Sequence, residues 1–316
     1  MNNFLTYMYL LTPLHTGGSA DEGNLMGIAR EVHTEFPYLP SSSLRGRIRA
    51  AMEQNESTKL QASDFFGQKI SGSGTQPTEG KVWFSDATLL LFPIASLSHH
   101  ILWVTCPLWL ERWARWLGPE ADSVMTFADT CREQLQGKAA ISSFSASRIY
   151  LQSALLKPDD IKSVDFAPVT KQLKPTLSGS GLIAYMDKRT IVLSEEDCIS
   201  LIETGLQREV RVALNETSKT VKDGSFRAEE AIPPETVLFF PWGTKTTKPS
   251  NVGSSASAEE KAAAQQQRET DAENAQVVER ELVSALGDRL QFGGLEGLGR
   301  GWAQLKTDTV KAEAAK

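Results

Sequence analysis

Sulfur and imidazole are scarce in this chain, which has three cysteines (Cys106, Cys131, Cys198) and four histidines among 316 residues. The cysteines are odd in number, widely spaced and free of any Cys-x-x-Cys pair. That pattern excludes a disulfide framework and a thiolate zinc site, and it fits a reduced compartment. Long hydrophobic runs are missing as well; none approaches the roughly 20 residues that cross a bilayer, so no membrane partner is expected. The opening "MNNFLTYMYLLTP" lacks the positive charge and small-residue cleavage site of a signal peptide, which predicts a cytoplasmic protein. An excess of basic residues is absent too, since 33 Lys and Arg face 39 Asp and Glu for a net charge of -6. A surface basic all over is thereby excluded, whereas a local basic stripe is not. No Ser/His/Asp order or Cys/His pairing stands out, which argues against a hydrolase triad.

What is present suffices for a core. The hydrophobic fraction is 41% with seven tryptophans, and the length allows one large mixed domain with insertions. "NFLTYMYLLT" (3–12) reads as a buried central strand closed by Pro13. Ser41, Ser42 and Ser43 offer a helix N-cap, after which Leu44, Ile48 and Met52 recur on one helical face. "KVWFSDATLLLFP" (81–93) and "HILWVTCP" (100–107) predict two strands, each ended by proline. "LWLERWARWL" (108–117) predicts an amphipathic helix. "REVRVALNETSKTVKDGSFRAEEAIPPETVLFFPWG" has the pattern of a strand, a polar hairpin or loop, and a returning strand. From 244 to 276 the composition shifts to Ser, Thr, Ala and Gln, a tether followed by a helix former. Val277, Val278, Leu282 and Leu286 then restore an apolar face, so a helix over 258–286 is expected to dock by its last turns alone. "LQFGGLEGLGRGWAQL" reads as strand, glycine hairpin, strand, and 303–316 as a polar tail. This order predicts an α+β sheet-and-helix architecture of modified ferredoxin-like or RNA-recognition topology.

Two stretches carry anion-binding chemistry. In "SSSLRGRIRA" a serine-started helix presents free amides and a positive dipole end, with Arg45 and Arg49 on one face and Arg47 roughly opposite. An ordinary capped helix with a solvated basic face would give the same spacing. "GGLEGLGRG" holds Gly293, Gly294, Gly297, Gly299 and Gly301 around Arg300. Such glycines let amides approach a phosphate, although a tight hairpin needs them equally. No helix follows, and the dinucleotide and Walker patterns fail. In "HTGGSADEGN", His15 with Asp21 and Glu22 could hold Mg²⁺ or activate a ribose hydroxyl, and adjacent acids in a glycine loop are equally ordinary turn chemistry.

Taken together, "LLTPLHTGG" (10–18), "FPYLPSSSLRG" (36–46), "VWFSDATLLLFPIASL" (82–97), "ILWVTCPLWLERW" (101–113), "EEAIP" (229–233) and "LQFGGLEGLGRGW" (290–302) resemble the RAMP superfamily of CRISPR proteins. The resemblance is strongest to the backbone subunits of type III-B (Cmr) effector complexes. It implies an RNA-recognition-like palm with a thumb hairpin, held in a single domain over 1–316. It also implies copies stacked along the guide (crRNA), each thumb kinking the RNA at every sixth nucleotide, with target RNA paired to the guide and further Cmr subunits as partners, for antiviral defence. The resemblance assigns the guide's sugar-phosphate backbone to the serine-started helix (Ser41, Ser42, Ser43, Arg45, Arg47, Arg49) and to the glycine loop (Gly293, Gly294, Gly297, Gly299, Arg300).

The same resemblance implies metal-dependent cleavage of the paired target, with Mg²⁺ or another divalent cation as cofactor. Here the sequence departs from the family. The aspartate position falls on Leu25 or Met26, and "SFRAEEAIP" keeps Glu229 and Glu230 but sets Arg227 and Ala228 where aromatics stand. His15 is retained, and Asp21 lies a few residues earlier. Three readings follow: a guide-binding backbone subunit, an endoribonuclease using Asp21 with His15 beside Glu229 and Glu230, and a stand-alone nucleotide-binding enzyme built on the glycine loop.

Overall fold

A computed structural model describes residues 3–18, 21–22, 25–56, 58, 62–68, 78–152, 154–173, 185, 188–245 and 258–310. Its strands are β1 (Asn3–Leu10), β2 (Asp21–Glu22), β3 (Leu25–Met26), β4 (Val82–Phe84), β5 (Thr88–Ser96), β6 (His100–Thr105), β7 (Ala140–Ser142) and β8 (Ile149–Leu151). They continue with β9 (Ala154–Leu156), β10 (Ile161–Ser163), β11 (Thr190–Val192), β12 (Gln207–Arg211), β13 (Arg227–Ala231), β14 (Val237–Thr244), β15 (Arg289–Gln291) and β16 (Trp302–Val310). The helices are α1 (Ser41–Gln54), α2 (Ala62–Phe66), α3 (Pro107–Ala114), α4 (Ala121–Leu135), α5 (Ala167–Leu173), α6 (Glu195–Gly205) and α7 (Ala258–Leu286).

The main sheet runs β10-β7-β11-β6-β5-β14-β1-β16-β15, with β4 also pairing with β14. β1 lies between β14 and β16, antiparallel to both. Its side chains alternate between two cores, as strand geometry requires. Phe4, Met8 and Leu10 join one cluster with Leu44, Ile48, Met52, Val278 and Leu282. Leu5, Tyr7 and Tyr9 join another with Leu110, Trp113, Val124 and Phe127. Helices therefore cover both faces of the sheet, which is why β1 reads as a continuous apolar run.

The α+β architecture expected from the sequence is what the structure has, with four local differences. Pro93 sits inside β5, opposite Trp103. The β14 ladder on β5 extends only from Thr88 to Leu91, so beyond it β5 has one neighbour and tolerates a residue without an amide donor. The first strand region breaks at Ser85–Ala87, where Leu39 and Ala87 exchange backbone hydrogen bonds. The last strand continues to Val310, through most of the expected polar tail. There Thr307 Oγ1 lies 2.8 Å from buried Thr6 Oγ1, which also accepts from Trp242 Nε1 at 2.9 Å. Finally, the N-cap of α1 is Pro40, with the serines already helical.

α7 docks through Val278, Leu282 and Leu286, whereas Val277, expected on the same face, is exposed; of the tether before it, 246–257 lies outside the described residues. A second sheet, β12-β13-β3-β2, joins the palm at the end of β1, where Leu14 and Ile232 exchange hydrogen bonds. The connection between β12 and β13 projects as an exposed hairpin with Leu214 bridged to Val221. This is the thumb.

Candidate nucleic-acid interface

At the foot of the thumb, adjacent acids on β13 emerge on opposite faces of the strand and are both buried; their side chains are 6% and 3% exposed for Glu229 and Glu230. A buried carboxylate must be compensated, and each is. Glu229 Oε1 accepts from Arg300 Nη2 at 2.5 Å and from Arg211 Nη2 at 3.0 Å. Glu230 accepts from Arg208 Nε at 3.1 Å and Nη2 at 3.0 Å, and from Arg30 Nη2 at 3.0 Å. Strand register makes this necessary. Glu209 lies directly opposite Glu229, a like-charge pair that would repel. Arg300 resolves it by reaching Glu209 at 2.6 Å as well as Glu229. The Arg300 hydrogen bond in turn holds the Glu209 carboxyl below its ordinary range.

Arg300 is thus a buried clamp between the glycine loop and the thumb. Glu229 and Glu230 are likewise engaged by arginines. No group of three His, Cys, Asp or Glu side chains that could hold a metal occurs among the described residues. With both buried acids committed to arginines, these residues do not fit a divalent cation.

His15 is buried beneath the same sheet. Its Nδ1 lies 2.8 Å from the Glu230 carbonyl and its own carbonyl accepts from Gly294 N at 2.8 Å. A proton on Nδ1 donated to that carbonyl leaves Nε2 with a lone pair when the ring is neutral, the form a general base requires. Asp21 lies across the β2–β3 ladder from Met26, which pairs with Glu229 on its other side. The two-residue ladder thus brings Asp21 level with Met26, one of the two positions to which the resemblance assigns the aspartate.

The arginine run on α1 divides. Arg45 donates to the Phe66 carbonyl at 2.6 Å and the Val82 carbonyl at 3.2 Å, with its guanidinium 5.2 Å from the Phe66 ring. Burial, and then the Arg49 charge, lower its basicity. Arg49 pairs with Glu53 at 2.9 Å. Both are tied within the fold. Arg47 is different, since its Nε is buried without a hydrogen-bond partner. The helix start is partly used as well. Ser41 N donates to Asp86 Oδ1 at 2.6 Å and Ser43 N to the Pro40 carbonyl at 2.9 Å, while Ser42 and Gly46 remain exposed.

The glycine loop separates the same way. A Cβ on Gly293 would stand 2.3 Å from the His15 carbonyl oxygen, and one on Gly294 3.3 Å from the His15 ring. Gly297 and Gly299 face open space. Around the Glu229/Glu230 network, sequence reasoning missed Arg30, Arg208, Arg211, Glu203 and Glu209. The alternating charges of "QREVR" opposite "RAEEA" were the available signal. Arg30, Arg208, Glu203 and Glu230, with Leu25, Ile28 and Ile199, line a cleft of about 610 Å³ beside the thumb.

Against known proteins, residues 7–304 match the family model for the RAMP superfamily. The chain is 27% identical over 245 residues to the CRISPR system Cmr endoribonuclease Cmr4 of Pyrococcus furiosus, covering 76% of this chain and 80% of that protein. Among solved structures, oligomeric Cmr4 from Pyrococcus furiosus aligns with a TM-score of 0.64 at 22% identity, over 98% of this chain and 99% of that one. A chain of the type III-B Cmr-beta complex bound to cognate target RNA aligns with a TM-score of 0.66 at 18% identity, over 96% of each chain. A family match across nearly the whole chain, on a palm-and-thumb fold these structures share, leads to one conclusion: this chain belongs to the RAMP superfamily.

Proposed function

We propose that the chain is the guide-RNA-binding backbone subunit of a type III-B CRISPR effector complex. In this role it stacks in several copies along crRNA with other Cmr subunits, holds complementary target RNA, and works in the cytoplasm in antiviral defence. The observation that carries this reading is the thumb. Val212, Leu214, Val221 and Phe226 are 41%, 51%, 54% and 48% exposed on a hairpin that two strands alone do not stabilise. Apolar side chains in such a row need a partner, and unstacked bases with a neighbouring copy supply one. The likeness to Cmr4 and to a Cmr-beta chain supports the same reading. Exposed Ser42, in the first turn of α1, and exposed Gly297 offer amides for a sugar-phosphate rail, and neither reads a base. RNA of unrelated sequences should therefore bind with equal affinity, weakening linearly on a log–log plot against salt. Strong sequence discrimination, or binding indifferent to salt, would count against the proposal.

A second reading has one observation in its favour, the register that sets Asp21 across from Met26. If Asp21 works with His15 to cleave target RNA, Asp21→Ala abolishes regularly spaced cuts and spares guide binding. Uncut target in the wild-type complex removes this reading while leaving the first intact.

A further inference from the structure

The cleft beside the thumb carries more positive charge than its buried acid needs. Arg30 and Arg208 both reach Glu230. Two guanidiniums against one buried carboxylate leave one positive charge over, and Glu203 balances it. It pairs with Arg30 and lies 3.5 Å from Arg208 Nη2. Glu35 meets Arg30 through its backbone carbonyl, at 3.4 Å.

The two acids differ in how firmly they are held. Glu230 is 3% exposed, and removing its partners would leave a buried charge. Glu203 is 41% exposed at the cleft rim, where an ion pair is worth little. It also stands in the last turn of α6, a helix whose last turn has no basic residue. An acid there meets the negative end of the helix dipole. Nothing in the fold makes this a favourable place for a carboxylate, except the two arginines it faces.

We infer that Glu203 is a displaceable substitute for phosphate: the Arg30–Arg208 cleft is an RNA phosphodiester site, and the rim carboxylate yields to it on binding. This rests on the RNA-binding function proposed above and adds to it a site and a built-in restraint on affinity. A phosphodiester carries the same single negative charge as Glu203 and accepts the same forked donors. When it enters, Glu203 turns to solvent and Glu230 keeps Arg208. Leu25, Ile28 and Ile199 line the same cleft and give the attached nucleoside an apolar wall. The floor is tight, because a Cβ on Gly18 would meet the Gly27 carbonyl oxygen at 3.0 Å.

The test is binding of a short single-stranded RNA to the full-length chain, in wild type, Glu203→Gln, and Arg30→Gln with Glu203→Gln, at two salt concentrations. Glutamine keeps the shape at an exposed position, and thermal unfolding checks each fold. Glu203→Gln should bind roughly threefold to fivefold tighter at low salt, the gain shrinking at high salt. The double variant should lose that gain. Wild-type binding with Glu203→Gln equal or weaker overturns the inference and leaves the RNA-binding proposal standing. Failure of both wild type and Glu203→Gln to bind RNA overturns the two together. Binding by Glu203→Gln alone supports the restraint in its strongest form.

Discussion

Gly297 and Gly301 share one loop and meet different demands. Gly301 has φ +80°, and an added Cβ would stand 1.8 Å from the Phe292 carbonyl oxygen. Gly297 has neither constraint. Gly301→Ala should therefore cost at least about 1–3 kcal/mol from backbone strain alone. Gly297→Ala should change stability by less than about 0.5 kcal/mol and still weaken RNA binding. Thermal unfolding and an RNA titration check both, and equal destabilisation would mean that the loop serves the fold alone. The sequence showed a glycine cluster but not this division, because the atoms that forbid side chains lie on Leu14–His15 and Phe292. Arg45 teaches the same point. Helical spacing placed it with Arg49, yet its acceptors are carbonyls 21 and 37 residues away, which no local period reports.

Among the elements, those with strong periods were legible: β1, the Leu44–Ile48–Met52 stripe of α1 and the docked end of α7; the stretch that forms the thumb was legible only as a polar hairpin or loop between strands. β16 was legible only at its start, because Thr307 is polar and yet half-buried, satisfied by Thr6 across the ladder. The thumb base could not be read, since its stability comes from ion pairs between β12, β13, the loop at Arg30 and the loop at Arg300. This arrangement responds to acid. Glu209 has a folded pKa depressed below its ordinary 4.5, chiefly by the Arg300 hydrogen bond. Its contribution is therefore complete above that value and disappears as pH falls through the lower, folded one. Hydrogen exchange at the β12 and β13 amides, corrected for intrinsic rate, should rise over that acid range and should respond less in Glu209→Gln. An identical response in the variant would place the acid sensitivity elsewhere.

As a whole, the molecule reconciles a net charge of -6 with an anionic partner by local placement of charge, with Arg30, Arg49, Arg112, Arg208, Arg211 and Arg300 each paired to an acid within the fold. Amides left open at the start of α1 and in the glycine loop suit a rail of phosphates, and the exposed thumb suits a head-to-tail stack in which each copy presents it to the next. Contacts of that kind are heterologous and propagate along a helix rather than closing a dimer. No described helix is long and apolar enough to cross a membrane. The most direct test is native mass spectrometry of the full chain with single-stranded RNAs of increasing length. The number of copies bound per RNA should climb in single steps, each requiring the same added length, with little association when RNA is absent. A fixed stoichiometry whatever the RNA length, or a chain that stays free of RNA, would contradict the account.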